Sequence, residues 1–435
     1  MFMIVNTSVP KVFVFEPSSD EKRKNVASIY GRKKIATKTL DQIKEELKEI
    51  RLKNRETIET NTERFRNTLE KYPHLKIHFA PDAKSLSEII KRVTGIPKFV
   101  SLNKSNVVIN EIRPYLKKLG INSYIRYFSE FEDLSLEKKF LVDYWMLPGL
   151  HAKNLLETFD LKETIDFSKN GRSRTYVSIL GVNAASAETG NLYFLQHMSN
   201  ISKDIKEANT IFFIVPLEKI VKDDYSAKVH VRSMGIFGLE SVILDLKPKK
   251  EEEFDFEGLP FTDKEKEIHI VIFDNLRKSL LSSHYTDLLL CIDCRACARQ
   301  CPVGQHLPDM KDKVYSPKNL LLLHLQGAIK PFELCLHCGR CEVECPVGIQ
   351  IPELLWKAQV EYYQRKGRSI LKKMLDNPEL LAKIGVYFAP FSNWVMKFPL
   401  VRAIMKVFPG IHNRAKLPSF SQQTFREWYE KRKHG

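Results

Sequence analysis

All eight cysteines of the chain lie between residues 291 and 345, in two runs of identical spacing. Cys291, Cys294, Cys297 and Cys301 are separated by two, two and three residues, with Pro302 next. Cys335, Cys338, Cys341 and Cys345 repeat the pattern, with Pro346 next. A cubane cluster needs four thiolates pointing inward from different directions. Three cysteines with two residues between each wrap a short turn around three of its corners. The fourth, three residues on, reaches the other cluster in two-cluster proteins. The spacing therefore predicts two [4Fe–4S] clusters with crossed ligation. Cys291, Cys294, Cys297 and Cys345 hold one, and Cys335, Cys338, Cys341 and Cys301 hold the other. The proline supplies no backbone donor and steers the chain away from the cluster. Zinc sites normally use two C-x2-C pairs, which would leave the third and fourth cysteines of each run without a purpose. Disulfides fit poorly to a cysteine at every third residue.

The elements that must position these ligands are partly visible. Cys291–Asp309 and Cys335–Glu353 are related by a 44-residue offset, down to Cys-Pro-Val-Gly-x-x-(Leu/Ile)-Pro-(Asp/Glu). Ser316-Pro317 should open a leucine-rich helix ending near Gly327, and Pro352 another ending near Gly367. The residues between the two runs look helical, which predicts an α-helical two-cluster ferredoxin module. Arg295, Arg299, Arg340 and His337 stand between ligands, where cations raise reduction potentials. Upstream, Asp274-Asn275 should cap a helix running into Cys291.

Before that module the pattern is α/β. Strands are expected at Lys76–Ala80, Lys98–Leu102 and Ser123–Phe128, with helices at Ala83–Thr94 (Ser85 as N-cap) and Asn106–Leu119 between them. Such an order predicts a mostly parallel, helix-covered sheet. Leu136–Leu161 should be helical. Thr175–Leu180, Leu192–Gln196, Thr210–Val215 and Ile268–Phe273 read as further strands. The charged stretch Lys247–Lys266 reads as a mobile linker. Leu40, Ile43, Leu47, Ile50, Ile58, Phe65 and Leu69 recur at helical spacing to about Tyr72, and the charges between them read as a solvated face. Met1–Phe15 is apolar without a basic leader and reads as a strand or arm rather than a signal peptide.

Two stretches are candidate ligand contacts. Lys104 and Ser105 follow a strand's carboxyl end, where anions bind in open α/β sheets. Glu188, Thr189 and Gly190 end a run of small residues that would let a ligand approach the backbone closely. The competing readings are an ordinary helix cap with a solvated lysine and a tight hairpin.

The 435 residues allow two to three domains. The expected division is an arm and amphipathic helix (1–72), an α/β domain (73–280), the ferredoxin module (281–370) and an amphipathic tail (371–435). Net charge is +16; two clusters of about −2 each would bring it to about +12. That balance suits an acidic partner subunit, an anionic substrate or an acidic membrane surface, and equally a basic proteome background. No nucleic-acid recognition module is evident. The absence of cysteines outside the two runs fits a reducing, cytoplasmic setting. The aromatic tail around 380–411 has no uncharged run long enough to span a bilayer. It should pack on the ferredoxin module or a partner subunit, or lie peripherally on a membrane.

Over most of its length beyond about residue 40 the chain resembles the lactate-utilisation iron–sulfur proteins of the LutB (or LldF) type. The likeness is carried by Ile268-His-Ile-Val-Ile-Phe-Asp-Asn-Leu-Arg277 through Cys301-Pro302 and by the second cysteine run. Lys104-Ser105, Pro148-Gly-Leu-His151, Ala187-Glu-Thr-Gly190, Glu218-Lys-Ile-Val221, Leu417-Pro-Ser-Phe420 and Phe425-Arg-Glu-Trp428 add to it. After Gly190 the chain departs from the family, with Asn191 and then Gln196–Ser202. The resemblance implies a Rossmann-like LUD domain joined to the two-cluster ferredoxin. It also implies a role, with other redox subunits, in oxidising L-lactate or another 2-hydroxy acid. A subunit of another reductase, such as a heterodisulfide-reductase-like complex, would need the same clusters. No flavin-binding fingerprint stands out.

Overall fold

The computed structural model describes residues 10–15, 39–97, 99–125, 176–196, 200–238, 256–259, 266–299, 301–304, 314–369, 372–373, 376–407, 411–412, 414–417 and 419–433. The expected helix Leu136–Leu161, the Pro148–His151 motif and most of the 247–266 linker lie outside them. The chain divides into two compact units, residues 1–358 and 359–435. The boundaries expected at 72/73 and 280/281 fall inside the first.

The first unit is built on a six-stranded, wholly parallel sheet. Its order is β2 (Leu75–Ala80), β11 (Glu267–Phe273), β8 (Thr210–Pro216), β5 (Val177–Gly181), β3 (Val100–Leu102), β4 (Ser123–Ile125). Each matches an expected strand to within two residues wherever the chain is described. Side chains of a strand alternate between faces, and here both faces are buried. Ile211, Phe213 and Val215 of β8, with Ile268, Ile270 and Ile272 of β11, enter one core. Phe212, Ile214, Val271 and Phe273 enter the other.

The second face is covered by the helix Ala83–Thr94, whose Leu86, Ile89 and Ile90 point inward. Its N-cap is Asp82 rather than Ser85: the Asp82 carboxylate accepts from the Ser85 N–H at 2.7 Å. The expected helix Asn106–Leu119 is a π-helical turn, Val107–Ile112, followed by α-helix Arg113–Lys118. Pro114 cannot donate to the Asn110 carbonyl, so the preceding turn is free to widen.

The first face is covered by helices Leu40–Glu56 and Ile58–Leu69, broken at Thr57, together with the cysteine module. Thr39 and Gln42 close the first helix with a capping box. The inward stripe Ile43, Leu47, Ile58, Phe65, Leu69 is the expected one, but Arg51 and Asn54 continue it and are buried. The charged run is therefore not wholly a solvated face.

A smaller sheet runs β10 (Glu257–Leu259), β1 (Val12–Phe15), β7 (Leu192–Leu195), β6 (Ala184–Ser186), β9 (Ile220–Val221). The arm thus supplies a strand. So does part of the charged linker, because β10 pairs antiparallel with β1; a partner strand, not local composition, decides that segment.

The approach to Cys291 is not one helix. Leu276 is left-handed (φ 80°), Arg277–Leu280 makes one turn, and a 3-10 stretch, Thr286–Leu290, leads into the cysteines. Helix Pro317–Leu325 is capped by Ser316, whose hydroxyl accepts from the Asn319 N–H at 3.1 Å, and Ile351–Lys366 follows the second run.

The second unit carries helices Pro378–Tyr387, Ala389–Val395, Pro399–Val407 and Phe425–Lys433. Asn393 exchanges two hydrogen bonds with the Phe420 backbone, both 2.8 Å. Tyr387, Phe391, Trp394, Leu400 and Val407 are exposed. No helix among the described residues is long and apolar enough to cross a membrane.

Candidate iron–sulfur centre and the adjoining cleft

The two cysteine runs repeat in backbone conformation as well as in sequence. Asp293 (φ 62°) and Arg295 (φ 62°) are left-handed, and 44 residues on so are His337 (φ 50°) and Gly339 (φ 76°). Three of these four are not glycine, and each such residue costs about 1–2 kcal/mol. The conformation curls each C-x2-C-x2-C segment and turns its amides inward. The Asp293 N–H donates to Cys291 Sγ at 3.3 Å, and the equivalent His337 N–H to Cys335 Sγ at 3.4 Å. The Ile349 N–H donates to Cys345 Sγ at 3.4 Å.

The thiols of the two runs influence one another electrostatically. Cys291, Cys294 and Cys297 each lie close enough to Cys345 for its charge to push their pKa values up. Cys335 and Cys341 stand in the same relation to Cys301 and Cys338. Crossed ligation, with three thiols from one run and one from the other, would require this proximity between the runs. Cys341 is also felt at Cys297, so the groups are neighbours. Burial is the main cause of the raised values, with Cys291 pushed up to about 11 and Cys341 to about 12. Thiolates in such a place need a strong local positive charge, which bound iron supplies. Among the described residues no three His, Cys, Asp or Glu side chains converge as they would around a single metal ion. Cubane ligands sit farther apart, one to each corner. The donor set fits two cubanes.

Residues 287–349 match the family described as 4Fe-4S dicluster domain. Among curated proteins, Lactate utilization protein B of Bacillus cytotoxicus is 27% identical over 280 residues, covering 60% of this chain and 57% of that protein. Lactate utilization protein B of Geobacillus kaustophilus is 25% identical over 254 residues, covering 53% and 52%. This chain is a relative of the LutB-type iron–sulfur proteins. The match spans a little over half the length of those relatives. No solved structure matches it.

Cys294 of the first run borders a small cleft. Asn103, Lys104, Ser105 and Asn106 line it from the end of β3, Val182 and Asn183 from the end of β5, and Asp293, Cys294 and Arg295 from the cysteine loop. Two glycines permit this closeness. A Cβ on Gly181 would lie 2.2 Å from the Ser105 hydroxyl oxygen, and one on Gly238 would lie 2.3 Å from the Met234 carbonyl oxygen and 3.0 Å from that of Cys294. The sheet is pinned alongside: Ser101 and Ser178, paired in register, both donate to Asp204 Oδ2, at 2.7 and 2.9 Å. Of the expected ligand contacts, Lys104 and Ser105 line the cleft and Glu188, Thr189 and Gly190 do not. Glu188 pairs with Arg64, Thr189 donates to Asp224, and Gly190 packs against Leu69 and Pro10.

Beneath the first group lies a buried ionic network that the sequence reading missed. The Asp293 carboxylate takes Lys219 Nζ and Lys318 Nζ, each at 2.9 Å. Although burial would raise its pKa, these two ammonium groups hold Asp293 well below the usual carboxylate range. Arg277 is paired with Glu111 at 2.8 Å and with Glu218 at 2.6 Å; the second contact is an ion pair whose angle does not make it a hydrogen bond. Arg51 donates to the carbonyls of Leu289 (2.6 Å), Leu290 (3.1 Å) and Glu218 (2.8 Å), tying the first helix to the segment entering Cys291. Burial pulls its pKa down to about 10. Signals existed: Arg51 falls on the Ile43–Leu47 stripe, and Lys219 lies within the Glu218-Lys-Ile-Val221 motif. Of the cations expected near the ligands, Arg295 donates to the Tyr315 carbonyl at 3.2 Å, while Arg340 and His337 are exposed.

Tyr315 Oη lies 2.9 Å from Cys301 Sγ. With Cys301 ligating as thiolate, the phenol is the donor and stabilises the more negative, reduced state. Tyr315→Phe removes one hydrogen bond of about 1 kcal/mol, which lowers the potential of one cluster by on the order of 50 mV and leaves the other unchanged. A redox titration followed by electron paramagnetic resonance reads the shift; equal potentials in the two proteins would refute it.

Proposed function

We propose that this chain is the iron–sulfur electron-transfer subunit of a multi-subunit system that oxidises L-lactate or a related 2-hydroxy acid. In this reading a Rossmann-like LUD domain carries an α-helical two-cluster ferredoxin. Bound by the two thiol groups, each [4Fe–4S] cluster supplies a one-electron carrier. The reading is supported by the match of both four-cysteine runs to a 4Fe-4S dicluster domain in a chain similar to Lactate utilization protein B.

The two groups differ in their surroundings. Around the first, the protein supplies buried cations, Lys219 and Lys318, which favour added negative charge. Around the second, Cys338 is exposed among the exposed apolar side chains of Leu334, Leu336, Val343 and Trp356. An apolar rim around a surface redox group is what a partner subunit would cover. Exchange of electrons with other redox subunits takes place at the exposed group. The aromatic tail, with its basic residues, serves attachment to such a subunit or, peripherally, to a membrane through 380–411.

The complex recovered anaerobically with this chain from its native cells should bleach in the visible region when L-lactate is added without an electron acceptor. Bleaching by dithionite, with none by L-lactate or any other 2-hydroxy acid, would refute the assignment.

A further inference from the structure

We propose that Lys219 and Lys318, gathered by Asp293, set the reduction potential of the cluster bound by Cys291. The proposal rests on reading the cysteine runs as ligands of two [4Fe–4S] clusters. It adds which side chains from outside the runs decide how readily one of the two accepts an electron.

Three observations converge. The first is geometric. Asp293 Oδ1 lies 3.6 Å from Cys291 Sγ, where the thiol donates to it. Once that sulfur is a thiolate ligand it faces a carboxylate, and a like charge so close disfavours any further negative charge. The carboxylate is not alone. Its Oδ1 takes Lys318 Nζ and its Oδ2 takes Lys219 Nζ, each at 2.9 Å. Lys219 Nζ also donates to the Cys291 carbonyl at 3.4 Å. The trio therefore carries a net +1 beside the ligand.

The second is the charge count with the cluster included. An oxidised cubane with four thiolates carries about −2, and one-electron reduction adds one more negative charge. Buried Arg51 contributes +1, and Arg277 with Glu111 and Glu218 contributes −1. These cancel, so the +1 of the trio is the surplus of this network among the described residues. It does not neutralise the cluster. It reduces the cost of the added electron in a place where burial makes that cost high.

The third is placement against local preference, at one run only. Lys318 is the second residue of helix Pro317–Leu325 and is 3% exposed. The helix dipole and burial both disfavour a cation there. Burial would strip its proton, but Asp293, Cys291 and Glu218 outweigh that and hold its pKa above the usual lysine range. The 44-residue repeat puts His337 where the first run has Asp293. That imidazole is exposed and meets Trp356 edge-on, with ring centroids 5.4 Å apart. The second run has no carboxylate at this position to gather lysines, so the device belongs to one cluster.

The test is a redox titration of the holoprotein purified without oxygen, followed by electron paramagnetic resonance, with iron counted in each variant. Lys219→Met and Lys318→Met each remove one positive charge from a side chain of similar length. Each should lower the potential of one cluster, shifting its one-electron equilibrium by about tenfold, or about 59 mV, with the other cluster unmoved. Lys318→Arg keeps the charge and should keep the unsubstituted potential. Asp293→Asn is nearly isosteric, and asparagine tolerates the left-handed backbone. It should move the same signal the opposite way, a reversal of sign that a purely structural clamp would not give. Where a methionine variant loses iron, Asp293→Asn decides alone: a raised potential supports the proposal, and an unchanged or lowered one overturns it. Shifts of one sign in all three charge-removing variants, or unchanged potentials with about eight iron retained, would overturn it while leaving the cluster reading in place. Absence of iron from the unsubstituted protein would instead remove that reading.

Discussion

Replacing Arg277 with methionine should destabilise the protein by about 3–5 kcal/mol, the largest loss expected of any single substitution away from the cysteines. Arg277 is 2% exposed and joins Glu111 and Glu218, themselves 5% and 2% exposed. Burial alone would lower its pKa, but the two carboxylates outweigh that and hold the guanidinium charged. Methionine fills much of the same volume, so the loss is electrostatic: two carboxylates remain in a region that water does not reach. Glu111 keeps donors from Asn275 and Gln326, at 2.6 and 2.8 Å. Glu218 depends more heavily on the guanidinium. Anaerobic denaturant unfolding of the holoprotein measures the change. The double variant Arg277→Met with Glu218→Gln should recover part of it, because the stranded charge is then gone. A single-variant loss below about 1 kcal/mol would mean that Arg277 is no keystone.

Cys345→Ala should remove one cluster and spare the other, and the cluster removed is the one whose remaining ligands lie some fifty residues upstream. Cys345 belongs to the second run in sequence, yet its charge is felt at Cys291, Cys294 and Cys297. Iron should fall from about eight to about four per chain. The surviving signal should be the one that Tyr315→Phe shifts, since Tyr315 touches Cys301 of the other group. Cys301→Ala should give the reciprocal result and remove the Tyr315-sensitive signal. If Cys345→Ala instead spared the cluster of Cys291, Cys294 and Cys297 and removed the Tyr315-sensitive one, ligation would be uncrossed.

What could be read from the chain alone divides along physical lines. The cysteine runs were legible because ligand chemistry imposes spacing directly on sequence. The helix Ala83–Thr94 and strands such as β8 and β11 were legible because burial imposes periodicity. Properties set by distant partners were not. Arg51 sits in a run of charges that looks solvated, and only the carbonyls of Leu289, Leu290 and Glu218, far along the chain, make its burial tolerable. Lys219 and Lys318 come from separate segments and meet at Asp293, a residue between two ligands that spacing alone left without a role. Strand β10 lies in a linker whose charge suggested a loop until β1 paired with it. Half of the candidate ligand site was legible for a similar reason. Lys104 and Ser105 follow a strand end, a position with a general meaning in parallel sheets. Glu188–Gly190 had only small size to recommend them, and their partners Arg64 and Asp224 hold them as a surface turn.

The central claim is that sulfur from both runs holds two iron–sulfur cubes per chain. The most direct test is metal and acid-labile sulfide analysis of protein purified under strict exclusion of oxygen, with the visible and paramagnetic spectra of the same sample. The account predicts about eight iron and eight sulfide per chain, broad visible absorbance, and a spin signal that appears on reduction. Stoichiometric zinc in a colourless protein, with iron near zero, would contradict it.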